Sequence, residues 1–222
     1  TGAFTARGSV TAKGSGNGQF ASPEGITVFT GGTNRIYVCD TGNNRVVRWY
    51  DQTPATNVNA TFVFNQNVTE DENNIVEPQD VAVDSADNVY VVCQAASTVK
   101  KFTASGVYVT NYGKFGGAAG QLNVPAGIAV DAAGYVYIGD RSDAREGRIQ
   151  RWTNNGSFAA PSPFYAPGGN DNFPVGLDFA GTNLYSSWIF TTANRPYSCT
   201  CGRRHDGIST IRRRHWVIRV RR

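Results

Sequence analysis

Between Pro125 and Trp152 the chain runs through a fixed order of events: Gly127-Ile128-Ala129-Val130-Asp131, a small-residue turn ending at Gly134, Tyr135-Val136-Tyr137-Ile138-Gly139-Asp140, a polar loop, then Arg148-Ile149-Gln150-Arg151-Trp152. The same order starts at Pro23, at Pro78 and, in part, at Pro174. Tyr37, Tyr90, Tyr137 and Tyr185 mark the register, 53, 47 and 48 residues apart. A tandem period of this length, made of several short strand-like runs, limits the chain to propeller blades or solenoid units, because one such unit cannot bury its own apolar faces.

The strand assignments rest on alternation and on β-branched and aromatic enrichment. Ile128 and Val130 face one way, as do Val136 and Ile138. Asp84–Asn88 and Asp131–Gly134 are turns between the first and second strands, where Asp side chains hydrogen-bond to nearby backbone. Thr103–Gly106 and Thr153–Gly156 are the matching turns before an outer strand. Phe20, Ile75 and Leu122, each three residues before a proline, are expected to pack under the linkers between units. Gly2-Ala3-Phe4 stands before Pro23 much as Gly106-Val107-Tyr108 stands before Pro125, so residues 1–22 are read as the end of a preceding blade. The longer stretch Asp51–Glu77 holds a possible strand at Thr61–Phe64 and an acidic loop at Glu70-Asp71-Glu72. Of four cysteines, Cys39 and Cys93 are expected as buried free thiols, and Cys199 and Cys201 lie in the tail.

Hydrophobic residues make up 40% of the 222 and charged residues 17%, with 25 glycines and no methionine, which suits a turn-rich all-β domain. No apolar run approaches the roughly 20 residues needed to span a bilayer. The net charge of +4 is unevenly held: nine arginines against Asp206 fall between Arg195 and Arg222, leaving residues 1–194 at −4. Both histidines, His205 and His215, are in that tail, so a histidine-based metal site or general base is excluded from the blades. The carboxylates Asp40, Asp84, Asp131, Asp140 and Asp178 recur at related positions and are read as turn and loop caps; no metal and no cofactor is expected.

Pro-x-Gly-Ile-x-Val followed by Ile36-Tyr37-Val38-Cys39-Asp40-Thr41-Gly42-Asn43-Asn44-Arg45-Val46 resembles the NHL repeat. The third unit is similar, with Gly127 and Asp131 in the first strand and its turn and Asp140 ending the second. The second unit departs from the motif, with Cys93-Gln94 for Asp-Thr and Thr98 for the arginine. The resemblance implies an all-β propeller of four-stranded blades. About four of an expected six are present, with units starting near Pro23, Pro78, Pro125 and Pro174 in residues 1–194. Gly25, Asp40, Gly42 and Asn43 are its structural motif residues. It implies a non-catalytic binding or scaffold module for protein or peptide on the loop-bearing face, where Asn44, Arg45, Arg141, Asp143 and Arg145 are expected. Missing blades or a partner are needed to close the ring. One alternative is a single-stranded RNA-binding domain of the ubiquitin-ligase type, through a patch including Lys100, Lys101, Arg45 and Arg148. Another is a propeller lyase or hydrolase, which the lack of blade histidines opposes.

Residues 195–222 are expected to lie outside the propeller. Permitted codons for Ser186–Arg195, read one register over, spell Val-Val-Asp-Phe-Tyr-Asn-Arg-Gln, which continues the repeat after Tyr185. The segment is therefore read as a reading-frame product, with a basic arm for nucleic acid or an anionic membrane as the alternative. Sequons at Asn59, Asn67 and Asn155 lean towards export.

Overall fold

The computed structural model describes residues 13–16, 19–31, 34–50, 60–64, 75–141, 147–160, 164–165, 172–190 and 212–219. They form four antiparallel sheets in chain order. The first holds β1 (Pro23–Phe29), β2 (Arg35–Asp40), β3 (Arg45–Tyr50) and β4 (Ala60–Phe64). The second holds β5 (Pro78–Val83), β6 (Val89–Cys93), β7 (Thr98–Phe102) and β8 (Tyr108–Tyr112). The third holds β9 (Gly127–Val130), β10 (Val136–Arg141), β11 (Gly147–Trp152) and β12 (Phe164–Tyr165). The fourth holds β13 (Asn172–Ala180), β14 (Asn183–Phe190) and β15 (Arg212–Arg219). One 3-10 turn, Thr41–Asn43, is the only helix among the described residues.

Each sheet is a meander whose strands pair with their sequence neighbours. Because side chains alternate along a strand, one sheet supplies two apolar layers. On β6, Val89, Val91 and Cys93 pack with Tyr37, Cys39 and Val46 of the first sheet. Tyr90 and Val92 point the other way and pack with Ile128, Val136, Ile138 and Trp152 of the third. A third layer joins Ala129, Tyr137 and Ile149 to Leu177, Leu184 and Trp188. Phe20, Ile75 and Leu122 are all buried, as their place before each proline predicts. Cys39 and Cys93 are buried free thiols; burial pushes Cys93 up to about 11 and raises Cys39 as well, so neither is poised to react.

Among the described residues the stack of sheets is open at both ends. Val81, Ile128 and Leu177 share a register position facing the preceding sheet and are 2%, 2% and 8% exposed, whereas Ile26 at that position in the first sheet is 64% exposed. At the other end Tyr185 is 40% exposed, while Tyr37, Tyr90 and Tyr137 are fully buried.

Two features differ from the sequence reading. The outer strand expected after the Thr153–Gly156 turn makes a single bridge, Phe158 to Trp152, and the strand proper is only Phe164–Tyr165. Pro161 and Pro163 lie between them, and a proline has no N–H to give a ladder. In the basic tail, Arg212–Arg219 pairs along β14 from Asn183↔Arg219 to Phe190↔Arg212 as the fourth sheet's third strand. Trp216-Val217-Ile218 supplies the aromatic and β-branched character a strand needs. The segment read as an outer strand before residue 13, the acidic loop near Glu70 and residues 191–211 lie outside the described residues.

Candidate functional site

Asp40 ends β2 and Arg45 opens β3 as its direct cross-strand partner. Between them Gly42 lies where a Cβ would come within 2.6 Å of the Ala21 carbonyl, and Asn44 closes the turn at φ 52°. Arg45 Nε donates to Asp40 Oδ2 at 2.6 Å, and Asn43 Nδ2 donates to the same oxygen at 2.7 Å. The pair also holds the incoming linker: Asp40 Oδ1 accepts the Ala21 N–H, Arg45 donates to the Ser15 and Gln19 carbonyls, and Asn43 to that of Gly14. The third unit repeats the clamp. Arg148 Nε donates to Asp140 Oδ2 at 2.9 Å and Nη2 to the Gln121 carbonyl, while Asp140 Oδ1 accepts the Asn123 N–H. Burial raises Asp140 above the usual carboxylate range although the Asn123 N–H and the Arg148 guanidinium pull it down. In the second unit Cys93 and Thr98 occupy the paired positions, so it has no such clamp.

These bonds bring linkers and loops onto one face and stitch the blades there. Thr41 Oγ1 donates to the Pro78 carbonyl, and Gln94 at the matching place donates to that of Pro125. Arg141, third in the series, lies over the Phe173 ring at 5.5 Å. Asn44 is exposed and its Oδ1 accepts the Glu77 N–H at 2.9 Å.

The residues expected at the surface divide accordingly. Asn44 and Arg141 are on the loop-bearing face; Asp143 and Arg145 lie outside the described residues. Arg45, Lys100 and Lys101 are inside, at 5%, 5% and 8% exposure. Arg45 is drawn in by Asp40 and the linker carbonyls. Lys101 Nζ donates to the Asn154 carbonyl at 2.9 Å and sits over Tyr90, and Lys100 lies over the Tyr108 ring. Asp84 and Asp131 cap their turns as expected: Oδ1 of each accepts two backbone N–H groups at 2.9 Å. Gly25 and Gly127 allow close approach of neighbouring inner strands; a Cβ would meet Asp80 Cα at 2.5 Å and Gly176 Cα at 3.1 Å.

Sequence reasoning passed over two carboxylates of the second unit. Asp80 stands two residues after its proline, where the other units have Gly25, Gly127 and Gly176. Its Oδ2 accepts the Ile128 N–H and its Oδ1 the Val81 N–H, and burial, aided by Asp178, raises it to about 7. Asp87 takes the left-handed turn position of Gly134, and accepts from Arg35 and from the Tyr37 hydroxyl at 2.8 Å. The aligned glycines were the available signal for both.

Successive antiparallel sheets, the inner two burying both faces against their neighbours, define an arc of a β-propeller. Residues 20–49, the first unit, match the model of the NHL repeat, and the fold is that of a partial β-propeller. Solved structures of similar fold include virginiamycin B lyase from Staphylococcus aureus, with 18% identity, TM-score 0.54, and 78% of this chain on 53% of that one. A streptogramin B lyase gives 17% identity and TM-score 0.51, with 77% of this chain on 51% of that one. A protein of Bacteroides uniformis described as a 6-phosphogluconolactonase gives 16% identity and TM-score 0.51, with the same coverage. These likenesses carry the fold alone. The chain spans about half the length of the structures it resembles. No curated protein sequence matches it.

Proposed function

We propose that the chain is a non-catalytic binding module, contacting a protein or peptide through the loop-bearing face, with its ring completed to six blades by further blades or a partner. The observation that carries this reading is the fate of the recurring charged groups. Asp40–Arg45 and Asp140–Arg148 are buried and engaged with linker carbonyls. They hold the face in shape, and what they leave exposed is contact surface: Asn44, Glu77, Lys114 and apolar side chains. The first 185 residues have no histidine to serve the lyase or lactonase chemistry that some structural neighbours are named for. RNA binding loses its support, because Arg45, Lys100, Lys101 and Arg148 are all buried and stacking on single strands needs an exposed basic surface.

A photo-crosslinking residue at Asn44, compared with one at Asn155 in the outer turn between β11 and β12, tests the reading in extract from the source cells. Discrete protein adducts are expected from position 44 and not from 155. Equal labelling at both, or none at either, counts against it.

A further inference from the structure

We propose, building on the reading of this face as a contact surface, that the linker entering the third blade is its peptide-recognition point. It takes an extended segment carrying an aliphatic or aromatic side chain beside a carboxylate.

Phe115 is 70% exposed and Val124 39%. Both belong to the linker entering the third blade, where Phe115 bridges Leu122 and Val124 follows two residues on. In the first linker Lys13 bridges Phe20 in the same way, so Phe115 occupies the place of Lys13. Val124 precedes its proline as Ser22 and Glu77 precede theirs, and the three share a left-handed backbone, at φ 56°, 52° and 47°. A β-branched residue is the poorest occupant of that conformation, at a cost of about 1–2 kcal/mol. The third linker therefore presents two apolar side chains to water, one of them strained, where the first linker has Lys13 and Ser22 and the second has Glu77 before its proline. Isolated exposed apolar residues need no explanation. A pair that replaces polar counterparts and breaks a backbone preference does, and contact with a partner supplies one.

The charge beside the pair selects the partner. Lys114 adjoins Phe115 and is exposed, and the Arg141 backbone N–H donates to the Asn123 carbonyl, next to Val124. Neither cation has an ion-pair partner among the described residues. Asp140, the carboxylate next to Arg141, is buried with Arg148. Two cations without an ion-pair partner among the described residues, flanking an apolar pair, favour a segment with a carboxylate next to its apolar side chain. A lone exposed phenylalanine is not the succession of stacking platforms that a nucleic-acid strand uses.

Panning a displayed dodecapeptide library on the full chain tests this, with titration of the enriched peptides by fluorescence anisotropy. Peptides pairing Asp or Glu with Phe, Leu or Ile are expected. Their affinity should fall about tenfold or more in Phe115→Ser/Val124→Ser and again in Lys114→Glu/Arg141→Gln, about 1.4 kcal/mol for each tenfold. Thermal melts of the variants, expected to match the parent, separate lost binding from lost fold. No enriched family, a basic family, or peptides that bind the first double variant within about twofold overturns the proposal. Should such insensitive peptides lose affinity in Asn44→Arg, the wider reading of the face stands and this one falls. Oligouridine that binds tighter than the best peptide and is lost in the first double variant gives the surface to nucleic acid and also overturns it.

Discussion

Asp80 Oδ2 accepts the Ile128 N–H at 3.0 Å, so a carboxyl of the second blade is hydrogen-bonded to the inner strand of the third. It occupies a position where three other units have glycine, with the Gly25 backbone against its Cα. Burial outweighs the two N–H donors, and Asp178 opposes ionisation further. Among the titratable groups around it, Asp178 on β13 opposes its ionisation, and the thiol of Cys39 on β2 is raised by its charge as well as by Cys93 on β6 and Glu24 on β1.

A carboxyl raised from 3.8 to about 7 binds its proton more tightly in the folded chain than in the unfolded one. Its contribution is therefore fully present below pH 3.8 and is lost as pH rises through 7. The rise bounds the effect at about 4 kcal/mol, with relaxation leaving less. Melting temperature should fall between pH 5.5 and 8.5, and Asp80→Asn, neutral throughout, should flatten that fall and raise stability at the alkaline end. Asp140 shifts in the same sense and contributes a smaller slope in both chains. An unchanged slope in Asp80→Asn removes Asp80 from the account.

Arg45 lies at 5% exposure with Asp40 fully buried, so removing either partner leaves an uncompensated charge inside the loop. Arg45→Ala should cost about 3–5 kcal/mol, and Arg45→Lys most of that, because one ammonium cannot reach Asp40, Ser15 and Gln19 together. Hydrogen exchange should speed up at Gly42, whose N–H bonds to the linker carbonyl of Ala21. Thr98→Ala, at the same place in the unclamped second unit, should cost under about 1 kcal/mol. Equal losses at the two positions would mean that the clamp is incidental.

Architecture was legible in the sequence because it follows from periodicity: Tyr37, Tyr90 and Tyr137 occupy one register and are all fully buried towards the next blade. The turn caps Asp84 and Asp131 were legible for the same reason, since a carboxylate five residues before a strand has backbone N–H groups as its nearest donors. Which charges reach the surface was not. Arg45 looks like a surface loop residue until the linker folds over it, and that packing joins segments about 30 residues apart. Lys101 is equally deceptive: its cross-strand partner is Tyr90, and its ammonium group ends on the next blade's Asn154 carbonyl. Arg48, at the same register, ends on the Ala104 carbonyl, so these two third-strand cations are ties between blades.

Ile26 and Val81 share a register position and differ only in whether a blade stands in front of them. Val81→Asp buries an unpaired charge and should cost more than about 3 kcal/mol; Ile26→Asp should leave the melting temperature of this chain within a few degrees. The exposed face should also make the chain associate as concentration rises, and Ile26→Asp/Val28→Lys should suppress that in light scattering. In a protein whose ring is closed, Ile26→Asp should become as harmful as Val81→Asp. A parent chain that stays monomeric at high concentration would falsify the claim that this end needs covering.

Val124 supplies the most economical test of strain at the contact face. Glycine adopts φ 56° without a Cβ clash, so Val124→Gly trades about 1–2 kcal/mol of strain against glycine's larger unfolded-state entropy of about 0.5–1 kcal/mol. The proline that follows limits that entropy loss. The side chain is 39% exposed, so little packing goes with it. The net expectation is a rise of about 1–4 °C in melting temperature, since 1 kcal/mol corresponds to about 2–4 °C in a chain of this size. Ile128→Gly, in a strand four residues on and 2% exposed, should lower it by more than about 6 °C. Peptide binding should move opposite to stability in Val124→Gly, because the side chain removed is the one presented to the partner. A variant that melts lower than the parent would show that Val124 is held by packing, and that its left-handed backbone stores nothing for binding to use.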